Sequence, residues 1–194
     1  MEQWIGWHFL DKSKRLAYGD ERLVVSGETL SVPEDKPLVL CKYGMHASLN
    51  PLDALKLAPS FTIICRVELL GERIDGDNKS VARSRRVLWM ADASDTVKAF
   101  AFACADRAVR IHAANAMDAA GLPNQAKILQ ELAPITTIET ANAAGDAAGD
   151  AAWAAAGDAA GDAEEAWQTE RLCAWLSADE PLDWPLDMPK EAAA

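Results

Sequence analysis

Apolar and polar positions change their rhythm near Met90. Before it, short β-branched and aromatic runs are separated by turn residues, the signature of strands. "WIGWHFL" (Trp4 to Leu10) predicts an aromatic-rich strand. In "RLAYGDERLVV" two apolar stretches flank Tyr18-Gly19-Asp20-Glu21, which predicts a hairpin turn. "SGETLSV" and "PLVLCKY" predict further strands, separated by Pro33 and Pro37. "FTIICRVELLG" is the expected buried central strand, ending at Gly71. A turn at Asp75-Gly76-Asp77-Asn78 then leads into the strand-like "SRRVLWM".

One helix interrupts this section. In "SLNPLDALKLAP", Asn50 is the expected N-cap, Pro51 suits the first helical position, and Asp53 places a carboxylate near the positive helix end. Pro59 should stop the helix, with Leu49, Leu52 and Leu55 facing the sheet.

After Met90 the spacing becomes helical. "SDTVKAFAFACADRAVRIHAA" starts at a Ser94 cap, and Val97, Phe100, Ala101, Cys104, Ala108 and Ile111 form an amphipathic stripe. Gly121-Leu122-Pro123 breaks it, and "NQAKILQELA" predicts a second helix, closed by Pro134. "ITTIETANAA" leads into four Ala-Ala-Gly-Asp units between Ala143 and Asp162, and "AEEAWQTERLCAWL" predicts another helix. The proline-rich end should be irregular or frayed. The expected class is therefore α+β: a small β-rich N-terminal domain with one inserted helix (1–114), a helical region with the repeat (115–176) and a C-terminal tail (177–194).

The repeat sets glycine against alanine. Each interior glycine costs roughly 1 kcal/mol in a helix, and aspartates four apart repel. Trp153, Ala160 and Trp167 fall at heptad spacing, continuing toward Ala174 and Trp175 as a buried seam. A helix results, with Asp146, Asp150, Asp158 and Asp162 in one acidic stripe and Ala154 in the missing place. If continuous from Ile138 to Leu176, it spans roughly 58 Å at about 1.5 Å per residue.

Charge sharpens this picture. The net charge of -11 is uneven: Met1 to Glu139 holds 17 basic and 18 acidic residues, Thr140 to Ala194 only 2 basic and 12 acidic. Such a C-terminal segment is a poor partner for bare nucleic acid, whose phosphates need cations, and a better one for a basic protein surface. Self-association through the C-terminal helix is the other expected contact. There is no apolar run of 18 residues and no charged-then-apolar leader, so neither a membrane span nor a signal peptide is expected. Cys41, Cys65, Cys104 and Cys173 are far apart and suit reduced, buried thiols of a cytoplasmic protein.

"LCKYGMHASLNPLDALKLAP" and "CRVELLGERIDGDNKSVARSRRVLWMAD" together carry a resemblance. They resemble an uncharacterised domain of bacterial and phage proteins with a G-x-H-A-S-like turn, an N-P-L-D-A-L helix, a V-E-L-x-G strand and a D-D-K-S/A-V-A-x-x-R segment. "GWHFL", the "YGD" turn and an Ala/Trp-rich C-terminal repeat before "QTERLCAWL" also fit. The resemblance covers most of the chain. It implies no agreed activity, and the glycine-aspartate units depart from the more basic or glutamate-bearing repeats of that family.

Three functions follow as expectations. The first is a non-enzymatic interaction protein, of the kind a phage uses to inhibit a host defence or nucleic-acid-handling complex, docking through Asp146, Asp150, Asp158 and Asp162. The second is an ADP-ribosyltransferase-like enzyme centred on His46, the candidate catalytic residue, with Tyr43, Arg66 and Glu68 as companions. No second-strand Tyr or Ser-Thr-Ser signature follows and no catalytic Glu can be assigned; a structural reading has His46 bonding backbone in a tight turn. The third is a nucleotide sponge using Arg83, Arg85 and Arg86, where a strand would put Arg83 and Arg85 on one face. No cofactor is expected. His8, His46, His112 and the cysteines are too scattered for zinc, with Cys41 and His46 the one close pair. Neither a G-x-S-x-G elbow nor a phosphate loop is present.

Overall fold

The computed structural model describes residues 3–58, 63–144 and 161–176. Its architecture is α+β: an antiparallel sheet of five strands with helices after it. Among the described residues, those between 3 and 95 and 169–176 form one compact unit, and 96–144 with 161–168 form a second.

The sheet is built on one long hairpin. β4 (Ile63–Asp75) and β5 (Ser80–Asp92) pair from Ile63 opposite Asp92 to Asp75 opposite Ser80, around the expected Asp75–Asn78 turn. β4 does not end at Gly71. That residue adopts φ +80° at a register shift between Leu70 and Arg73, so the expected terminator is a bulge inside a longer strand. β1 (Trp4–Leu10) lines the free side of β4, with Trp4 opposite Leu69 and Leu10 opposite Ile63. β2 (Thr29–Ser31) and β3 (Met45–Ala47) share the other side of β5, at Ser84–Arg86 and Ser80–Ala82 respectively.

Just past β3, Ser48 exchanges two backbone hydrogen bonds with Trp7 of β1, at 2.7 and 3.0 Å. The ladder β1–β4–β5–β3 thus returns on itself. Gly6 permits that approach, because a Cβ there would lie 2.6 Å from the Ser48 carbonyl oxygen. Cys65, Val67, Leu69, Ala82 and Val87 fill the core against Trp4, Leu10 and Val24.

Two parts of the expected β section form less strand than foreseen. The Tyr18–Glu21 segment reverses the chain as foreseen, but its flanks meet only in an isolated Arg15–Leu23 bridge. "PLVLCKY" folds into a tight turn, with Val39 bridging Tyr43 and Cys41 at φ +67°. The strand comes after it, as β3.

α1 (Pro51–Leu57) starts as its sequence dictates: the Asn50 side chain accepts from the Leu52 amide at 2.8 Å. Leu52 is buried and Leu55 half-buried, but Leu49 lies before the helix and is exposed, not packed. Pro59 lies outside the described residues. At the far end of the chain, Leu172, Trp175 and Leu176 are buried, and Asn50 donates to the Thr169 hydroxyl at 3.2 Å.

The second unit begins on α2 (Ser94–Arg107), whose first residue is bonded by the Asp92 carboxylate. It runs through a wide π-helical turn (Ala108–Ala113) into α3 (Ala114–Ala119). The expected stripe is buried only at Val97 and Phe100. Ala101 is exposed, and Cys104, Ala108 and Ile111 are half-buried; Val97, Phe100, Ala103, Asp106, Val109 and Ala113 go inside. Asp106 explains the difference, since apolar periodicity cannot place a carboxylate in the core. It takes the Ile135 amide at 2.9 Å and pairs with Arg110. α4 (Pro123–Gln130) follows the Gly121 break, and residues 138–144 form α5, opened by Thr137 and Thr140 bonding reciprocally to each other's amides.

α6 (Gly161–Leu176) carries the most constrained carboxylate of this unit. Glu164, 6% exposed, accepts two bonds from Arg107 at 3.0 Å and one from His112 Nε2 at 2.8 Å. Arg107 also stacks over the Trp167 ring at 4.1 Å. Of the expected seam in α6, Trp175 is buried, Trp167 half-buried and Ala174 exposed, and Glu164, Leu172 and Leu176 are buried beside it. Trp153, Ala154 and Ala160 lie outside the described residues, as do the expected continuous helix between 145 and 160 and the tail 177–194.

Burial opposes ionisation of Glu164, but Arg107 and His112 outweigh it and hold the carboxyl below its usual value. A lowered folded-state value means the clamp stabilises above the unfolded carboxylate range and is lost as pH falls through the depressed one. Glu164→Gln should lower stability at neutral pH by about 2–3 kcal/mol and flatten its acid dependence, read by urea unfolding between pH 3 and 7.

Candidate functional site

One cavity of about 580 Å³ belongs wholly to the first unit. β1 contributes Trp7, His8 and Phe9; β3 contributes His46; β5 contributes Arg85; the turns add Tyr43, Lys79 and the 15–20 loop. α1 lends only apolar atoms, from Ala54 and Leu57.

Arg85 is the unusual member. It is 2% exposed and among the largest fully buried side chains. Its Nη1 donates to the His46 carbonyl oxygen at 2.6 Å, which anchors the guanidinium across the β3–β5 pair. Its Nε and Nη2 have no hydrogen-bond partner and are occluded from solvent. These two nitrogens form one edge of the guanidinium, with parallel N–H groups spaced to grip two oxygens of a carboxylate, phosphate or sulfate. No carboxylate among the described residues pairs with it. Of the acids lining the cavity, Asp20 is bound to Arg22 at 2.6 Å and Asp11 to Ser13. Burial lowers the Arg85 pKa to about 10, so it stays charged at neutral pH.

The histidines differ in their commitments. His46 does bond backbone in a turn: its Nε2 accepts from the Cys41 amide at 3.0 Å. Burial, then Lys79 and Arg85, lower its pKa against a bond to the Gly44 backbone. Gly44, at φ +128°, fits because a Cβ would collide with Val81 and Leu38. His8 has no hydrogen bond among the described residues. Burial holds it well below the usual histidine value, and Arg85 and His46 add to that. Burial also raises the thiol of Cys65, opposite His8 on β4, to about 12, so it stays protonated.

The three expected arginines do not act together. Arg83 bonds the Pro33 and Lys36 carbonyls and pairs with Glu72. Arg86 is exposed and pairs with Glu68 at 2.6 Å. Only Arg85 lines the cavity. Of the companions expected for His46, Tyr43 is in the lining and donates to Pro33, whereas Glu68 is held by Arg86 and Arg66 lies over the Trp7 ring at 4.4 Å. Asp146, Asp150 and Asp158 lie outside the described residues, and Asp162 is placed by its backbone alone, in the first turn of α6. Among the described residues no three His, Cys, Asp or Glu side chains come together as a metal site, and no helix is long and apolar enough to cross a membrane.

His8 and Lys79 escape a motif-based reading, and the special status of Arg85 does too. Arg85 had one signal: it shares strand parity with Val81 and Val87, so an arginine stands where alternation calls for an apolar residue. Compared with family models, curated proteins and solved structures, the chain matches none.

A buried cation without a counter-ion costs stability, and an apolar side chain of similar length removes that cost. Arg85→Met gives up the bond to the His46 carbonyl, about 1 kcal/mol, but relieves the larger desolvation. The ligand-free variant should therefore unfold in urea within about 1 kcal/mol of the parent, or later than it. A loss above about 3 kcal/mol would mark the guanidinium as a structural strut.

Proposed function

We propose that the N-terminal unit is a non-covalent receptor for a small oxoanion-bearing molecule, held in the cavity by Arg85. The observation that carries this reading is the unpartnered Nε–Nη2 edge of a buried, anchored arginine beside a cavity. The charge of the lining supports it, since Arg15, Lys42, Lys79 and Arg85 face only Asp11 and Asp20. The volume suits a phosphorylated metabolite or mononucleotide, within the few hundred Å³ usual for small-ligand clefts. It is the sponge reading narrowed from three arginines to one. The Cys41–His46 bond counts against a general base at His46, because the lone pair a base would use is already engaged.

Titration calorimetry with sulfate, inorganic phosphate and a nucleoside monophosphate tests it. At least one should bind, and Arg85→Met should weaken it about 10- to 100-fold, the worth of a charge-assisted bond pair. Absence of binding by all three, or binding unchanged in the variant, overturns the reading.

A second reading, a phage-type inhibitor docking on a basic protein surface, is supported by the charge of the C-terminal segment, 12 acidic against 2 basic residues from Thr140 onward. Converting Asp146, Asp150, Asp158 and Asp162 to lysine should remove the proteins that the parent captures from a host lysate. An identical captured set in both would sink this second reading.

A further inference from the structure

We propose that filling the cavity with an oxoanion draws a proton from solvent onto His8, so that ligand binding and protonation of this one side chain are coupled. The inference rests on the receptor reading above and adds its regulation.

The coupling follows from what surrounds His8. Across the β1–β4 pair its partner is Cys65, a neutral thiol. From β5 comes the Arg85 guanidinium, and from β3 the His46 ring. Lys79 enters from the β4–β5 turn, Lys42 from the 39–44 turn, and Asp11, Arg15 and Asp20 from the segment after β1, where both acids are engaged. α1 adds no charge to the lining. His8, without a hydrogen bond among the described residues, is held neutral first by its burial and then by the positive charge of the lining. An anion bound at Arg85 offsets the charge that acts most strongly on His8. The neutral ring then gains by taking a proton, becoming a second cation toward the ligand.

His46 does not compete for that proton. Protonating its Nε2 would expel the Cys41 amide and open the turn that Gly44 and Val39 close. His112 belongs to the other unit and is held by Glu164.

The sign is fixed by linkage. Affinity should rise as pH falls through the His8 midpoint of the bound form, and level off below the lower midpoint of the free form. Each pH unit between them corresponds to about a tenfold gain.

Sulfate is the suitable probe, because it keeps its charge across the range studied. Histidine ring nitrogens of the full chain, labelled with nitrogen-15, would be followed by NMR from pH 4 to 8. Sodium sulfate would be compared with sodium chloride at matched ionic strength, and His8→Gln identifies the His8 signal. The expected result is a His8 midpoint raised by about one pH unit or more in sulfate. The His46 midpoint should rise less than that of His8, because the Cys41 amide occupies its Nε2, and both shifts should vanish in Arg85→Met. Sulfate-dependent changes that require Arg85 but leave the His8 midpoint unmoved would overturn the proton coupling and leave the receptor intact. No Arg85-dependent response to sulfate at any pH would overturn both.

Discussion

Two backbone hydrogen bonds between Trp7 and Ser48 hold the first unit in the form that matters. Without them β1 and β3 would be opposite ends of an open sheet. With them, His8 lies one residue from the closure and His46 two residues from it, on strands adjacent only because the ladder returns on itself. The missing side chain at Gly6 makes room for the contact. Strand pairing thereby becomes cavity geometry: Arg85, opposite Leu30 of β2 and Leu69 of β4, reaches along β5 to the β3 carbonyl that pins it.

Arg85 is a buried charge whose guanidinium is bonded on one side and unpartnered on the other. Asp20 acts on it only from a distance, its carboxylate being bonded to Arg22, and Asp11 is bonded to Ser13. A buried charge without a hydrogen-bonded partner is costly. Around it the chemistry is quiet. The thiol of Cys65 stays protonated, His46 is tied to backbone, and Tyr43 spends its hydroxyl on Pro33.

Local rules reached a good part of this structure from sequence. β1, the Asn50-capped helix, the β4–β5 turn and the Gly121 break were all legible, because each depends on residues within a few positions of one another. The failures share a cause. "PLVLCKY" has strand composition, yet its conformation is decided by His46 taking the Cys41 amide and by Gly44 fitting against Val81. Gly71 looks like a terminator, but its positive φ is absorbed by a bulge between two long strands. Arg83, Arg85 and Arg86 form a cluster on paper. Their partners come from Pro33, Glu72, His46 and Glu68, and no spacing rule assigns those.

In the second unit, the Glu164 clamp joins parts of the chain that are far apart in sequence. Ala144, at the near end of residues 145–160, is buried in a core with Val109 and Ile135; Glu164, just past the far end, is locked to Arg107 and His112. Both anchors belong to the same compact unit. The residues on either side of 145–160 are thus both held in one compact unit, and the entropy of bringing them together is spent when that unit folds.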